Sequence, residues 1–364
     1  MTALSPSASG RFTLQAWLGS RLVLILVLVV QALALARDPW IMTRNWDAQH
    51  YIDIATRGYS ASNDVAFFPG LPLLMRAGLM VGVPPQATGL VVAMAGSLVA
   101  AFALRRLGGP LAAAAWLFAP TAVFTVIPYT ESPFCAAAFW AWERAKAGRW
   151  WSAAALAGVA SSFRVSGVFL AAALVVLALT TPAPWWTRLR RASTMIVPAL
   201  VIGAFAAYLY VLTGSWTAWS DAQAKGWYRG FHWPWEALVH TISSAMPWMY
   251  PDRPEWPWMF RFELVSMFVG IVVTVLMLRS KQWGEATFVG SQVLAFSFSY
   301  WFLSVNRAVL LWFPLFLLIG ERAALWLAPE APRDRRLWLG ALWALAVVVM
   351  SLWAWAYYLG LWAG

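Results

Sequence analysis

Residues 44–60 read RNWDAQHYIDIATRGYS, and they are out of place in their own chain. Arg44, Asp47, His50, Asp53 and Arg57 fall within this short stretch, although the 364 residues are 62% hydrophobic and only 11% charged. An ordinary soluble domain carries about 25% charged residues. A soluble chain of this composition would leave a large apolar surface in water. Apolar runs recur from end to end, so the sequence predicts an all-α polytopic membrane protein, one integral-membrane domain over residues 1–364. The first apolar run, Leu22 to Ala36, lacks a small-residue cleavage site followed by a polar segment and is expected to be retained as a helix.

Working outward from that stretch, basic clusters punctuate the apolar runs: Arg105 and Arg106; Arg144, Lys146 and Arg149; Arg188, Arg190 and Arg191; Arg279 and Lys281; Arg322, Arg333, Arg335 and Arg336. Lys and Arg in short loops mark the cytoplasmic side. With Arg11 and Arg21 also cytoplasmic, spans fit at about 17–36, 87–104, 110–128, 133–143, 150–163, 166–180, 194–213, 263–278, 285–303, 307–321 and 337–360. That gives about eleven crossings, several shorter than the roughly 20 residues a bilayer needs. The net charge of +11 then gathers on the cytoplasmic side. It reflects topology and predicts no nucleic-acid partner. The single Cys135 excludes disulfides within the chain and a zinc cluster. Only three of the 26 basic residues are Lys; this Arg bias suggests a GC-rich bacterial gene, and so a multi-pass protein of the bacterial inner (cytoplasmic) membrane.

Two segments are long and expected outside: about 37–86, which holds the opening stretch, and about 214–262, which carries eight Trp residues from Trp216 to Trp258. Both are expected to carry interfacial helices, one of them formed by AFFPGLPLLMR, whose two prolines argue against a regular span. On a helix Asp47, His50 and, less closely, Asp53 share one side. Glu131 in PYTESPF, Arg164 in SSFRVSG, and Asn306 and Arg307 in LSVNRAVLLWFP interrupt other apolar runs, each at the expected outer end of its helix. An ionisable residue in a membrane span costs about 2.5–3.5 kcal/mol on insertion scales and is a functional hypothesis by default. Together these groups predict one polar site facing outside. Carboxylates beside arginines suit transfer of an activated group from a phosphate carrier: a carboxylate deprotonates an acceptor hydroxyl and arginines hold the phosphate. Nucleotide sugars are absent outside the cytoplasm, so the donor must be lipid-linked.

WDAQHYIDIATRGY followed by AFFPGLPLLMR, then YTESPF, FRVSG and NRAVLLWFPLF, resembles in order the motif series of the PIG-V family of GT-C glycosyltransferases, which includes the transferase that adds the second mannose to GPI anchors. The resemblance implies a GT-C-type fold and an inverting mannosyltransferase that takes polyprenyl-phosphate mannose, with no cofactor and no obligatory metal. It also implies that Asp47, in the position of the W-D motif, is the catalytic acidic residue. The family's R-x-N-G motif reads Arg164-Val165-Ser166-Gly167 here. A bacterium makes no GPI anchors, so the acceptor, a glycolipid or glycan hydroxyl, does not carry over.

Each candidate also has a structural reading. Asp47 is the expected general base, or the N-cap of the helix that follows. His50 is an orienting partner, or a base. Glu131 shapes the acceptor pocket, or marks a helix boundary. Arg164 and Arg307 bind the donor phosphate, or pair with Glu131 and Asp47 as buried charges must. Arg44, Asp53, Arg57 and Asn306 are further substrate-binding candidates, with Arg44 and Arg57 either touching the donor or serving as snorkelling anchors. The Asp47, His50 and Asp53 spacing resembles a metal face, but hard cations want more oxygen ligands. The Trp residues form an interfacial belt, or stack on sugars; Asp221 and Glu236 rival Asp47 as base. A transferase of another lipid-linked sugar and a transporter or flippase of such lipids are the alternatives. A transporter should show mid-bilayer charges and repeat symmetry, and no repeat is visible. A non-catalytic subunit acting with a partner is a third reading.

Overall fold

The computed structural model describes residues 6–60 and 62–363, helical throughout and without a strand among them. Five helices are long and apolar enough to cross a membrane: Ser7–Leu35, Pro85–Leu117, Trp185–Thr213, Trp256–Arg279 and Arg333–Leu359. A sixth candidate, Val305–Leu311 with Phe313–Trp326, is bent by 67°. The chain is thus a multi-pass membrane protein, but by this criterion it does not reach the eleven crossings expected. Glu131–Lys146, Trp150–Phe163, Ser166–Thr180 and Trp283–Ser297 have 16, 14, 15 and 15 residues. At 1.5 Å per residue they measure about 21–24 Å, short of a hydrocarbon core of about 30 Å. The two spans expected at 87–104 and 110–128 lie on the two halves of Pro85–Leu117, which is broken where Gly108 and Gly109 leave helical geometry ahead of Pro110; the second half ends at Leu117, short of the expected 128.

The helix Glu131–Lys146 is the hub. It packs along Pro85–Leu117 on one side and Trp150–Phe163 on the other, and buries Phe134, Phe139 and Trp142 completely. Small residues let the hub in: a Cβ on Gly96 would lie 2.9 Å from the Pro133 nitrogen. Arg21, expected at the cytoplasmic edge, instead lies midway along the first helix and is 2% exposed. Its guanidinium donates to Ser97 Oγ (2.7 Å) and Thr125 Oγ1 (2.9 Å). It therefore clips the first helix to Pro85–Leu117 and to the turn Ala122–Thr125, inside the bundle rather than in a loop.

The connecting segment 37–86 holds the helices Asp47–Arg57 and Gly70–Met80, the second formed by the AFFPGLPLLMR stretch. The Trp-rich segment holds Ala218–Trp227 and Pro234–Ser244. The two segments are tied together, since Trp219 Nε1 and Gln223 Nε2 both donate to the Ala66 carbonyl at 3.2 Å. This pairing joins the short helices of the two segments.

Candidate active site

Asp47 begins its helix rather than capping it. The cap position belongs to Trp46, whose φ of 57° and ψ of −128° are unusual for a bulky residue. Backbone held in so sparse a region costs about 1–3 kcal/mol and persists only where the surroundings over-determine it. They do so here. Asn45 Nδ2 donates to the Tyr357 carbonyl (2.8 Å), Tyr357 Oη donates back to the Asn45 carbonyl (3.0 Å), and the Asp47 N–H donates to Tyr129 Oη (3.2 Å). Trp46 Nε1 is held by the Leu361 carbonyl at 3.1 Å. The clamp fixes where the Asp47 carboxylate points.

Arg307 meets that carboxylate across 260 residues of sequence: Nη1 lies 2.6 Å from Asp47 Oδ2, and Nε lies 3.5 Å from Glu131 Oε1. Its guanidinium sits over the rings of Phe124 and Tyr129, 5.4 and 5.3 Å from their centroids. The short turn Val305–Ala308 presents it, entered through Ser304 at a φ of 64°. Glu263, fully buried in the helix Trp256–Arg279, caps this turn by accepting from the Ser304 and Asn306 N–H groups at 2.9 and 3.0 Å. We expect Glu263→Gln, which can accept on one side only, to lower stability by about 1–3 kcal/mol and to reduce turnover by loosening Arg307. Thermal melting in detergent beside a turnover assay checks both; an unchanged melt would remove Glu263 from this role.

Glu131, fully buried, opens the hub helix and accepts from Arg164 Nη1 at 2.5 Å. Arg164 also donates to Thr130 Oγ1 at 3.0 Å. It stands in the extended break between Trp150–Phe163 and Ser166–Thr180. That break is tight, because a Cβ on Gly167 would lie 2.5 Å from Ser161 Cα. The motif FRVSG is therefore a helix interruption that turns one arginine inward.

Two cavities adjoin at these groups. A recess of about 80 Å³ is lined by Asp47, Thr130, Arg164, Gln223, Arg229 and Arg307, among others. A wider cavity of about 440 Å³ is lined by aromatic residues, including Trp46, Trp227, Trp256, Trp301 and Trp362. Asp47, Trp227, Ser304 and Arg307 belong to both. Oδ2 of Asp47 is taken by Arg307, while no residue among those described bonds Oδ1. Tyr51 in the recess is buried, its hydroxyl 3.4 Å from Thr130 Oγ1. Burial and the nearby Asp47 carboxylate push its pKa well up, so it stays a neutral phenol.

The structure brings Asp47, Glu131, Arg164 and Arg307 together and leaves the other candidates outside the recess. His50 Nδ1 lies 3.2 Å from Asp64 Oδ1, and its ring stacks on Phe67 at 4.7 Å. Asp53 pairs with Arg57 at 3.0 Å and accepts from Gln49. Arg44 and Arg57 are exposed. Asn306 turns away, its Oδ1 accepting from Ser266 at 2.8 Å. The shared side expected for Asp47, His50 and Asp53 thus divides. Each step of three residues falls about 60° short of a full turn, so Asp53 points about 120° away from Asp47. Among the described residues no three His, Cys, Asp or Glu side chains converge as a metal site requires.

Sequence reasoning missed Asp64, Glu263 and Arg229. Arg229 donates to Gln223 Oε1 (3.1 Å) and to the Leu303 carbonyl (3.3 Å). Burial first, then the guanidinium groups of Arg307 and Arg164, pull its pKa down to about 10.

No protein-family model matches the chain. Over 142 residues, 34% of its length, it is 32% identical to GPI alpha-1,6-mannosyltransferase 2 of Mus musculus. Over 143 residues it is 29% identical to the protein of the same name from Homo sapiens. The match spans 29% of the length of either relative. These homologues are the PIG-V proteins, so the resemblance read from the motifs is borne out. The crystal structure of ArnT from Cupriavidus metallidurans bound to undecaprenyl phosphate superposes with a TM-score of 0.48 at 15% identity, covering 94% of this chain and 76% of that one.

Proposed function

We propose that the protein is an integral-membrane glycosyltransferase that moves mannose from a polyprenyl-phosphate donor to a hydroxyl of a glycolipid or glycan acceptor, with inversion at the anomeric carbon. The observation that carries this reading is the Asp47 carboxylate at the junction of two unlike cavities, one oxygen held by Arg307 and the other without a bonded partner among the described residues. A single displacement needs a base beside the acceptor oxygen and cationic groups beside the departing phosphate. The aromatic cavity suits the acceptor, because Trp and Tyr rings present flat apolar faces to a sugar ring. The arginine recess suits the phosphate. As the acceptor oxygen attacks C1, its proton passes to Asp47 Oδ1, and the C1–O bond breaks with its electron pair moving to the phosphate. Four-segment convergence of charge also fits an enzyme better than a lipid carrier, whose charges must line a path through the bilayer.

On this reading the catalytic end faces outside the cytoplasmic membrane of a bacterium. The similarity to mannosyltransferases supports mannose as the sugar. The test is transfer from radiolabelled polyprenyl-phosphate mannose to a lipid extract of the host membrane by the purified protein. We expect a labelled product whose anomeric configuration is opposite to the donor's, and none from GDP-mannose alone. Product from GDP-mannose in the absence of lipid carrier would overturn the donor assignment. A product that keeps the donor's anomeric configuration would overturn the inverting mechanism.

A further inference from the structure

Three guanidinium groups line the recess, and their partners differ in kind. Arg307 faces the carboxylates of Asp47 and Glu131, and Arg164 faces Glu131. Arg229 faces only neutral oxygens, the Gln223 amide and the Leu303 carbonyl. Among the described residues no carboxylate forms an ion pair with it. Asp47 and Glu131 are bonded to Arg307 and Arg164, and the third carboxylate nearby, Glu263, is taken by the Ser304 and Asn306 N–H groups, so Arg229 is the guanidinium of the recess whose charge no bonded carboxylate answers among the described residues.

We propose that Arg229 is the anchor for the donor's phosphate and retains the phosphate monoester as it leaves, while Arg164 and Arg307 chiefly hold Glu131 and Asp47 in place. This rests on the transferase reading and deepens it. The charges of Arg164 and Arg307 are already answered by buried carboxylates, whereas that of Arg229 is not. Arg229 spends two nitrogens on neutral acceptors and keeps the rest of its five N–H donors free. An anion restores the electrostatic balance that burial and two neighbouring cations upset. The side chain is also well placed. The Arg229 N–H returns to the Gln223 carbonyl (3.2 Å) beyond Tyr228 at a φ of 54°, which ends the helix Ala218–Trp227. Gln223 is itself tied to Ala66. Both segments therefore fix its reach.

The chemistry gives the anchor a use. The donor is a phosphodiester with one negative charge. When the C1–O bond breaks and the acceptor O–C1 bond forms, the electron pair stays on the phosphate oxygen and the acceptor proton goes to Asp47. The leaving group thus gains a second negative charge beside Arg229, which strengthens the contact as the reaction proceeds.

The test uses the full chain in detergent and farnesyl phosphate as probe, with farnesol and inorganic phosphate as controls, read by ligand binding without acceptor. Arg229→Gln should weaken farnesyl phosphate binding about ten- to a hundredfold, the loss of a charge-assisted hydrogen bond. Arg229→Lys should recover part of it, while farnesol binding and the melting temperature stay as in the wild type. Equal binding of farnesyl phosphate to wild type and Arg229→Gln would overturn the anchor. So would an equal loss of farnesol, which would mark a tail contact, or no binding by the wild type. Inorganic phosphate binding as tightly as farnesyl phosphate would overturn a lipid-linked source for the anion. Arg229-dependent binding from a protein that transfers no sugar would sink the transferase reading and leave the anchor standing.

Discussion

Asp47→Asn should lower kcat by about 10²–10⁴-fold, the usual contribution of a positioned general base, with little change in the affinity for donor. Asparagine keeps the shape and one acceptor oxygen, so Arg307 Nη1 retains a partner, and Glu131 Oε1 remains 3.5 Å from Arg307 Nε. The tyrosine contact at the Asp47 N–H involves backbone and survives the substitution. The protein should therefore fold, and its melting temperature should fall only modestly. What is lost is the oxygen that takes the acceptor proton. Binding of farnesyl phosphate provides the control, because it does not require that oxygen. Undiminished transfer by Asp47→Asn would remove Asp47 as base and direct attention to Asp221 or Glu236. Asp221 already accepts from Thr217 and Glu236 from the Trp233 N–H, and neither lines the two cavities.

The groups that sequence reasoning found share one property, a charge inside an apolar run. Glu131, Arg164 and Arg307 each interrupt a stretch that is otherwise greasy, and the cost of such a placement makes them visible without coordinates. Glu263 obeys the same rule, set in the helix Trp256–Arg279, but next to Arg261 it resembles the boundary of a span. Arg229 and Asp64 lie in polar loops where a charge is ordinary. Only the tie between the two segments, through Ala66, reveals that Arg229 reaches the recess. The fold was legible at the level of composition and less so in its count of spans. Apolar runs report burial, and helices buried by other helices can be shorter than a bilayer is thick. The central helix Glu131–Lys146 illustrates this, being surrounded by protein along most of its length.

Glu131→Ala should cost about 3–5 kcal/mol of stability, the penalty for leaving a buried charge without its partner. Glu131 is fully buried and answers two arginines, Arg164 at 2.5 Å and Arg307 at 3.5 Å. Removing it leaves two guanidinium groups facing each other beside Asp47 alone, so the loss falls on the recess as well as on the hub helix. An exposed ion pair would behave differently, being worth about 0–1 kcal/mol. The double variant Glu131→Leu with Arg164→Leu separates the two contributions. It removes both charges of the closest pair and fills the space, which often restores or exceeds the original stability. We expect the double variant to melt well above Glu131→Ala yet to stay poorly active, because Arg307 has lost its second carboxylate and the recess has lost its lining charge. Melting curves in detergent for the two variants, with transfer assays on each, read both effects. Equal melting of Glu131→Ala and wild type would mean that water or lipid reaches the pair and that the recess is open where the structure closes it.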